Sequence, residues 1–343
     1  KRWLRMVNQK NQGLQTIIFE EPPVLTAWAT IVGPKEGEGP WRSDFDWIME
    51  DYEFGESSWE KAESKLLRET VKLAVSKKNY QPEDIELLVS GDLLNQITSS
   101  SFAARELQIP FLGMYGACST MAEALLTAAM AIDGGYFERV VAAVSSHHYS
   151  AERQFRFPTE QGVQRSMSSQ WTVTGAGAVV LEKGIYGGPR LTCATIGKII
   201  DLGQKDANDL GSAMAPAAAD TIKTHLSDTN RPSDYYDLIV TGDLGKVGSA
   251  LLKQLFIKNG VVPEPNYSDC GVLMFNDNQD VHAGGSGCGC SASMLCGPLL
   301  KKMVQGKIER LLLVATGALM SPTTSFQGES IPGIAHAVAL ENP

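Results

Sequence analysis

Five segments of this 343-residue chain return in the same order in its second half. A chain that repeats itself once, at a period far longer than a solenoid's, folds as two copies of one unit. Ala29-Thr-Ile-Val-Gly-Pro-Lys35 is echoed by Ala194-Thr-Ile-Gly-Lys198, and Glu83-Asp-Ile-Glu-Leu-Leu-Val-Ser-Gly-Asp-Leu93 by Tyr235-Tyr-Asp-Leu-Ile-Val-Thr-Gly-Asp-Leu244. Gly116-Ala-Cys-Ser119 matches Cys288-Gly-Cys-Ser291, Phe137-Glu-Arg-Val-Val-Ala-Ala-Val-Ser145 matches Ile308-Glu-Arg-Leu-Leu-Leu-Val-Ala-Thr316, and Ala178-Val-Val-Leu-Glu182 matches Ala337-Val-Ala-Leu-Glu341. The joint falls near 183–189, giving halves 14–187 and 188–343 behind an N-terminal extension, 1–13. Each half reads as a strand, a helix (58–76 or 210–226), a buried strand ending in Gly-Asp, a helix, a strand, a central helix, a buried strand and a last strand. Strands that alternate with helices and carry near-continuous Leu/Ile/Val predict an α/β fold with a largely parallel sheet covered on both faces. Gly297-Pro298 predicts a kink or a restart in the second central helix.

Ligands in such folds sit outside the carboxyl ends of the strands. That rule places Gly91-Asp92, Cys118, Ser145 to His148, Gly242-Asp243, Cys288 to Cys290 and Gly317 on one side of the molecule. Cys118 stands where Met121-Ala-Glu-Ala-Leu-Leu-Thr-Ala-Ala-Met130 begins a helix. Unpaired N–H groups and partial positive charge at such a terminus favour a thiolate or a bound anion, while many free cysteines are only small buried hydrophobes. The stretch 145–170 carries two histidines, three arginines and three aromatics without periodicity, which fits a lid over the ligand or a packing arm at a dimer contact.

A net charge of −9 leaves no basic field to gather phosphates, so nucleic acid is excluded as the main partner. No apolar run reaches membrane-spanning length and no signal peptide is evident, so a soluble, intracellular protein is expected. Its six cysteines lack the spacing of a zinc site or a disulfide framework and read as reduced thiols.

Two sheet-containing halves with a cysteine at the head of the first central helix resemble the thiolase and ketoacyl synthase superfamily. A closer resemblance, from Leu14 to Glu341, rests on Gly91-Asp-Leu-Leu-Asn-Gln96, Gly116-Ala-Cys-Ser-Thr120, Ala151-Glu-Arg-Gln-Phe-Arg156, Gly211-Ser-Ala-Met-Ala-Pro-Ala-Ala-Ala-Asp-Thr221, Ala283-Gly-Gly-Ser-Gly-Cys288, Ala315-Thr-Gly-Ala-Leu319 and Ile334-Ala-His336. These motifs resemble the stage V sporulation protein AD family of spore-forming bacteria. The resemblance implies a thiolase-like fold of two duplicated mixed-sheet halves in αβαβα layers. It implies a role late in sporulation, with binding of dipicolinic acid (pyridine-2,6-dicarboxylate), alone or with calcium, for uptake into the forespore, and no other cofactor. It further implies a homodimer, peripheral to the forespore or spore inner membrane, whose partners are integral-membrane proteins of the same sporulation transport system.

An acyl-transferring relative needs a nucleophilic cysteine together with His/His, His/Asn or His/Cys groups that move protons and hold the thioester oxygen. In their places this chain has Thr241-Gly242-Asp243, Gly287-Cys288-Gly289 and Gly333-Ile-Ala-His336. The expectation is therefore a retired enzyme that binds without turnover. Its first rival is an active acyltransferase with Cys118 as nucleophile and His336 as its partner; its second is a purely structural subunit of a membrane complex. His225 is expected at the surface and His282 near the glycine turn. His336 either pairs with Cys118 or donates to a ligand carboxylate. For a flat diacid the candidate binding residues are Asp92, Cys118, Asp243, Cys288, Cys290, His336, Arg153 and Arg156. The N–H groups at the head of the Cys118 helix and of 284–289 are the expected donors. Asp92 and Asp243 either share calcium, hold loop amides or cap their own turns, and the two arginines either face the ligand or form ion pairs across a dimer interface.

Overall fold

The computed structural model describes residues 10–155, 165–184, 187–259 and 266–343. The first half contributes strands β1 (Val24–Val32), β2 (Leu87–Gly91), β3 (Phe111–Gly113), β4 (Arg139–Ser146) and β5 (Gly175–Glu182). The second contributes β6 (Arg190–Thr195), β7 (Leu238–Thr241), β8 (Tyr267–Asp269), β9 (Arg310–Ala318) and β10 (Gly333–Glu341). Across the sheet the strands run β3-β2-β4-β5-β1-β6-β10-β9-β7-β8. Numbered within its own half, each set has the order 3-2-4-5-1, so the repeat in the sequence is a repeat in topology. The register agrees in detail: Arg139 opposes Glu182 in one half as Arg310 opposes Glu341 in the other.

The sheet is mixed rather than largely parallel. β2, β3 and β4 run parallel, but β5 is antiparallel to both β4 and β1, and β10 is antiparallel to β9 and β6 in the same way. The echo Ala178–Glu182 with Ala337–Glu341 showed that a last strand exists; its direction depends on where the chain re-enters, which apolar runs do not record.

The halves join where Arg190 pairs with Val24. Between them lie α3 (Thr120–Asp133) and the helix that begins as α7 (Cys288–Met294), with α3 touching strands of both halves. A helix enclosed by two sheets must be apolar on every side, and α3 buries Met121, Ala122, Ala124, Leu125, Leu126, Ala128, Ala129 and Ile132. The expected break at Pro298 is instead a π-helical turn, Leu295–Leu299, which carries the chain from α7 into α8 (Leu300–Val304) without ending the helix. The outer layers are α1 (Trp59–Ser76) and α2 (Thr98–Leu107) on the first half, α5 (Leu210–Thr229) and α6 (Gly245–Asn259) on the second. Ser58 caps α1 through the Lys61 N–H and Asp209 caps α5 through the Ser212 N–H, so both predicted helices start where their polar caps stand. The result is five layers, αβαβα, with a core on each side of each half-sheet.

Two local expectations change. The stretch 145–170 is not irregular at its start: Ser145 and Ser146 complete β4, and α4 follows over His148–Phe155. In the N-terminal extension, Asn11–Gln12 pairs with Thr16–Ile18, which in turn joins β6. No helix among the described residues is long and apolar enough to cross a membrane.

Candidate functional site

Cys118 lies at the head of α3, in a cleft walled by both halves. Ala117, immediately before it, holds φ +51, a left-handed conformation that a residue with a Cβ adopts only at a cost of about 1–3 kcal/mol. Leu93, Tyr115, Ala117, Ala151, Phe155, Leu210, Ala318 and Met320 make most of the wall; Glu152, Gln170, Thr172, Asn208 and Ser286 are its polar members. The cavity is about 60 Å³, a slot rather than a chamber. Among the described residues no arginine, lysine or histidine lines it.

Asp243 forms the base of the polar side. It is fully buried after β7, and its Oδ2 accepts hydrogen bonds from Ser286 Oγ (3.0 Å) and the Gly287 N–H (2.9 Å) while Oδ1 accepts from Thr316 Oγ1 (2.8 Å). Gly287 has φ +97, and a Cβ there would stand 2.8 Å from Ser146 Oγ, so only glycine lets the turn aim its N–H at the carboxylate. Ser286 Oγ is in turn 4.0 Å from Cys118 Sγ. The order Asp243, Ser286, Cys118 leads from the buried acid to the cleft.

The electrostatics run against a reactive thiolate. Burial pushes the Cys118 thiol well above its usual range, and the Asp243 carboxylate and Cys288 push it further. The N–H groups at the helix head do not offset this, because most are used within the turn. Ser119 N–H goes to Gly116 O (3.0 Å), Thr120 N–H to Ala117 O (3.4 Å), and Ala122 and Glu123 N–H to Ser119 O. The second expected donor set is also engaged: Gly284 N–H bonds Val281 O, Gly289 N–H bonds Ser146 Oγ and Cys290 N–H bonds Gly287 O. Both apparent anion seats are therefore largely closed.

The other candidates scatter. Asp92 is buried, but its Oδ1 accepts the Leu94 N–H and its Oδ2 accepts Ser100 N–H and Oγ, so it pins the turn before α2 instead of facing the slot. Its repeat partner Asp243 instead holds Ser286, which lines the cleft; identical positions in the duplication have taken different jobs. Cys288 is buried at the head of α7, and its Sγ donates to Ser145 O at 2.9 Å. Cys290 is buried behind the glycine turn, close to Gly285. His336 accepts the Gly197 N–H on Nδ1 (3.2 Å), and burial lowers its pKa to about 4, leaving it a neutral ring bonded away from Cys118. His225, expected at the surface, is buried between Thr195 Oγ1 (2.7 Å) and the Tyr236 hydroxyl (2.6 Å). His282 is held by Ser166 O and Asp280. Arg153 pairs with Glu60 and stacks over Trp59, an ion pair within the chain; Arg156 lies outside the described residues.

The sequence profile of the stage V sporulation protein AD family matches residues 13–341. The chain is also 48% identical over 332 residues to stage V sporulation protein AD of Bacillus subtilis (strain 168), covering 97% of this chain and 98% of that protein. The chain belongs to the stage V sporulation protein AD family. Its fold is thiolase-like, as solved structures of far more distant sequences show. The 3-oxoacyl-[acyl-carrier-protein] synthase III of Aquifex aeolicus VF5 is 14% identical, with a TM-score of 0.58 and coverage of 93% of this chain and 100% of that one. OleA of Xanthomonas campestris, solved with bound lauric acid and lauroyl-CoA, is 12% identical with a TM-score of 0.61, covering 95% and 100%.

In this family member the residues that sequence reasoning passed over are hydroxyls and amides. Ser286 and Thr316 hold the Asp243 carboxylate, and Gln170 ties the turn by donating to Asp243 O (2.6 Å) and Gly285 O (2.8 Å). Ser286 was visible only as the one polar residue in Ala283-Gly-Gly-Ser-Gly-Cys288, and Thr316 only as the repeat partner of Ser145. Gln170 gave no signal. Among the described residues no group of three or more His, Cys, Asp or Glu side chains is placed to hold a metal ion.

Proposed function

We propose that this sporulation protein binds dipicolinate, as its neutral one-to-one calcium chelate, in the Cys118 cleft and passes it on for uptake into the forespore without chemical turnover. The observation that carries the reading is the character of the slot: narrow, largely apolar, without a cation among its described residues, and with its helix-head and glycine-turn N–H groups mostly engaged. A free dianion there would lose its hydration without gaining a counter-charge from the described residues of the wall. A calcium ion that travels with the diacid removes that penalty, since the chelate carries no net charge and presents a flat ring. The tyrosine, threonine, asparagine and glutamine side chains of the wall suit the carboxylate edges and the waters on the metal. Asp92 and Asp243 then act by holding turns and supply no metal ligand.

The surroundings of the thiol support binding without turnover. The groups that shape Cys118 among the described residues are Asp243, Cys288 and Ser286, and none is a histidine. A thiol held protonated, with no histidine beside it among the described residues, is a poor nucleophile. The competing reading, an acyltransferase acting through Cys118, is favoured by the shared fold and the retained cysteine.

The protein works on this reading as a homodimer on the membrane face, beside integral-membrane partners of the transport system. β3 supports the dimer: it is an edge strand on which Phe111, Leu112 and, just beyond, Tyr115 are 36–46% exposed, an open edge that a second copy would cover.

The deciding experiment is a calorimetric titration of dipicolinate, with and without equimolar calcium, into the protein and into Cys118→Ala. Saturable heat that requires calcium and weakens in the variant supports the proposal. Heat of equal size without calcium overturns the neutral-chelate form of it, and no heat in either case overturns binding. A covalent acyl group on Cys118 after incubation with acyl-CoA would establish the enzyme instead.

A further inference from the structure

Away from the Cys118 cleft, a second cluster gathers positive charge and hydrogen-bond donors on one indole. Trp171 stacks on His148, with ring centroids 3.6 Å apart and planes within 5°. Lys35 Nζ stands 4.3 Å from the Trp171 ring centroid and the Arg165 guanidinium carbon 5.1 Å from it. Both cations are thus within less than about 10 Å of each other, inside one Debye length at ordinary salt. Two like charges held this close raise each other's energy unless an anion lies near them.

The anion close by, Asp280, pairs with Arg165 alone and not with Lys35. Lys35 has no ion-pair partner among the described residues. Arg165 donates to Asp280 O (2.8 Å) and lies 3.4 Å from its carboxylate, but Asp280 is 77% exposed and also engages His282 at 3.2 Å. Glu36, next to Lys35, turns inward: its Oε1 accepts the Thr174 N–H at 3.0 Å, and burial raises its pKa to about 8, which keeps it largely protonated at neutral pH.

Two donors in the cluster are buried without a partner, Trp171 Nε1 and Arg165 Nη1, and the Arg165 side chain is only 9% exposed. Orphaned buried donors are rare and usually mark a missing ion, water or ligand. Gln170 Oε1 and Glu36 Oε2 beside them are unpartnered too, but neither bonds these donors, so Trp171 Nε1, Arg165 Nη1 and the Lys35 ammonium together call for an acceptor with negative charge. We propose that Lys35, Arg165 and the Trp171 N–H form a binding site for a phosphate-type oxyanion. Arg165 offers the fork that suits two oxygens, Lys35 a point charge, and Trp171 a neutral donor from the strand that also carries Gln170 and Thr172 into the Cys118 cleft. The phosphate can be free in solution or borne by an anionic lipid headgroup; the chemistry of recognition is the same.

The test is a titration of inorganic phosphate into the full chain followed by tryptophan emission, with a parallel titration of phosphatidylglycerol vesicles against phosphatidylcholine vesicles. A saturable change with phosphate assigns a free anion; a change with phosphatidylglycerol alone assigns a lipid-borne one. In either case the response must vanish in Trp171→Phe, and binding must weaken about tenfold or more in Lys35→Gln and Arg165→Gln, as loss of a charge-assisted bond requires. No saturable response in either arm, or a response that Lys35→Gln leaves unchanged, overturns the proposal and leaves water as the partner of these donors. Lys35 is half-buried and makes no ion pair, so its variant decides the matter should Arg165→Gln fail to fold.

Discussion

Replacing Glu36 by Gln should make the protein more stable at pH 8 while changing little at pH 5. Glu36 is fully buried after β1; its Oε1 accepts the Thr174 N–H and its Oε2 has no partner. Burial dominates over that hydrogen bond and over Lys35 nearby, and lifts the carboxyl from 4.5 to about 8. Because the folded state holds this proton more tightly than the unfolded chain, stability is lost as pH rises from the unfolded pKa towards the folded one. Between pH 5 and pH 8 the linkage amounts to about 3 kcal/mol at 1.36 kcal/mol per unit, an order-of-magnitude figure. Glutamine keeps the acceptor for Thr174 and removes the ionisation. Urea midpoints for both proteins at pH 5, 6.5 and 8 check this: the wild type should lose about 3 kcal/mol more than Glu36→Gln across the series, and other buried acids cancel in the difference. Parallel pH profiles for the two proteins would refute the argument that burial governs this carboxyl.

Alkylation of Cys118 by iodoacetamide should be slow at pH 8 and rise only well above pH 9, since burial and Asp243 hold the thiol protonated; mass spectrometry of the labelled peptide across pH measures it. Asp243→Ala leaves the buried Gly287 N–H and the Ser286 and Thr316 hydroxyls without their acceptor and should cost about 2–4 kcal/mol, whereas Asp243→Asn, which retains one acceptor oxygen, should cost about half as much; thermal melts separate the two. Arg153→Ala should change stability by no more than about 1 kcal/mol and leave dipicolinate binding intact, because its partner is the half-buried Glu60 and not the cleft; a calorimetric titration of the variant tests this.

Much of the site could be named from the chain but not assembled from it. Asp92 and Asp243 end equivalent strands before the same Gly-Asp-Leu, and no local rule distinguishes them. The difference arises from their partners, Thr316 and the 286–287 turn reaching Asp243 from far along the chain while Ser100 and Leu94 close over Asp92 locally. His225 is similar: the sequence 223–226 reads as a surface helix turn, yet Thr195 from a strand and Tyr236 from the turn before another satisfy both ring nitrogens. A helix head read in isolation offers free N–H groups; the turn at 116–119 takes most of them back because Ala117 adopts a left-handed backbone that propensity does not foresee.

What the sequence determined by itself is whatever depends on order and period. The duplication, the strand and helix succession and the family all follow from residues read in line. Tertiary structure decided what depends on distance between segments far apart in the chain. It set the direction of the last strand in each half, the burial that protonates Cys118, the choice of Asp243 over Asp92, and the meeting of Lys35, Arg165 and Trp171. Burial and charge act through space, and a linear pattern carries periodicity but not proximity.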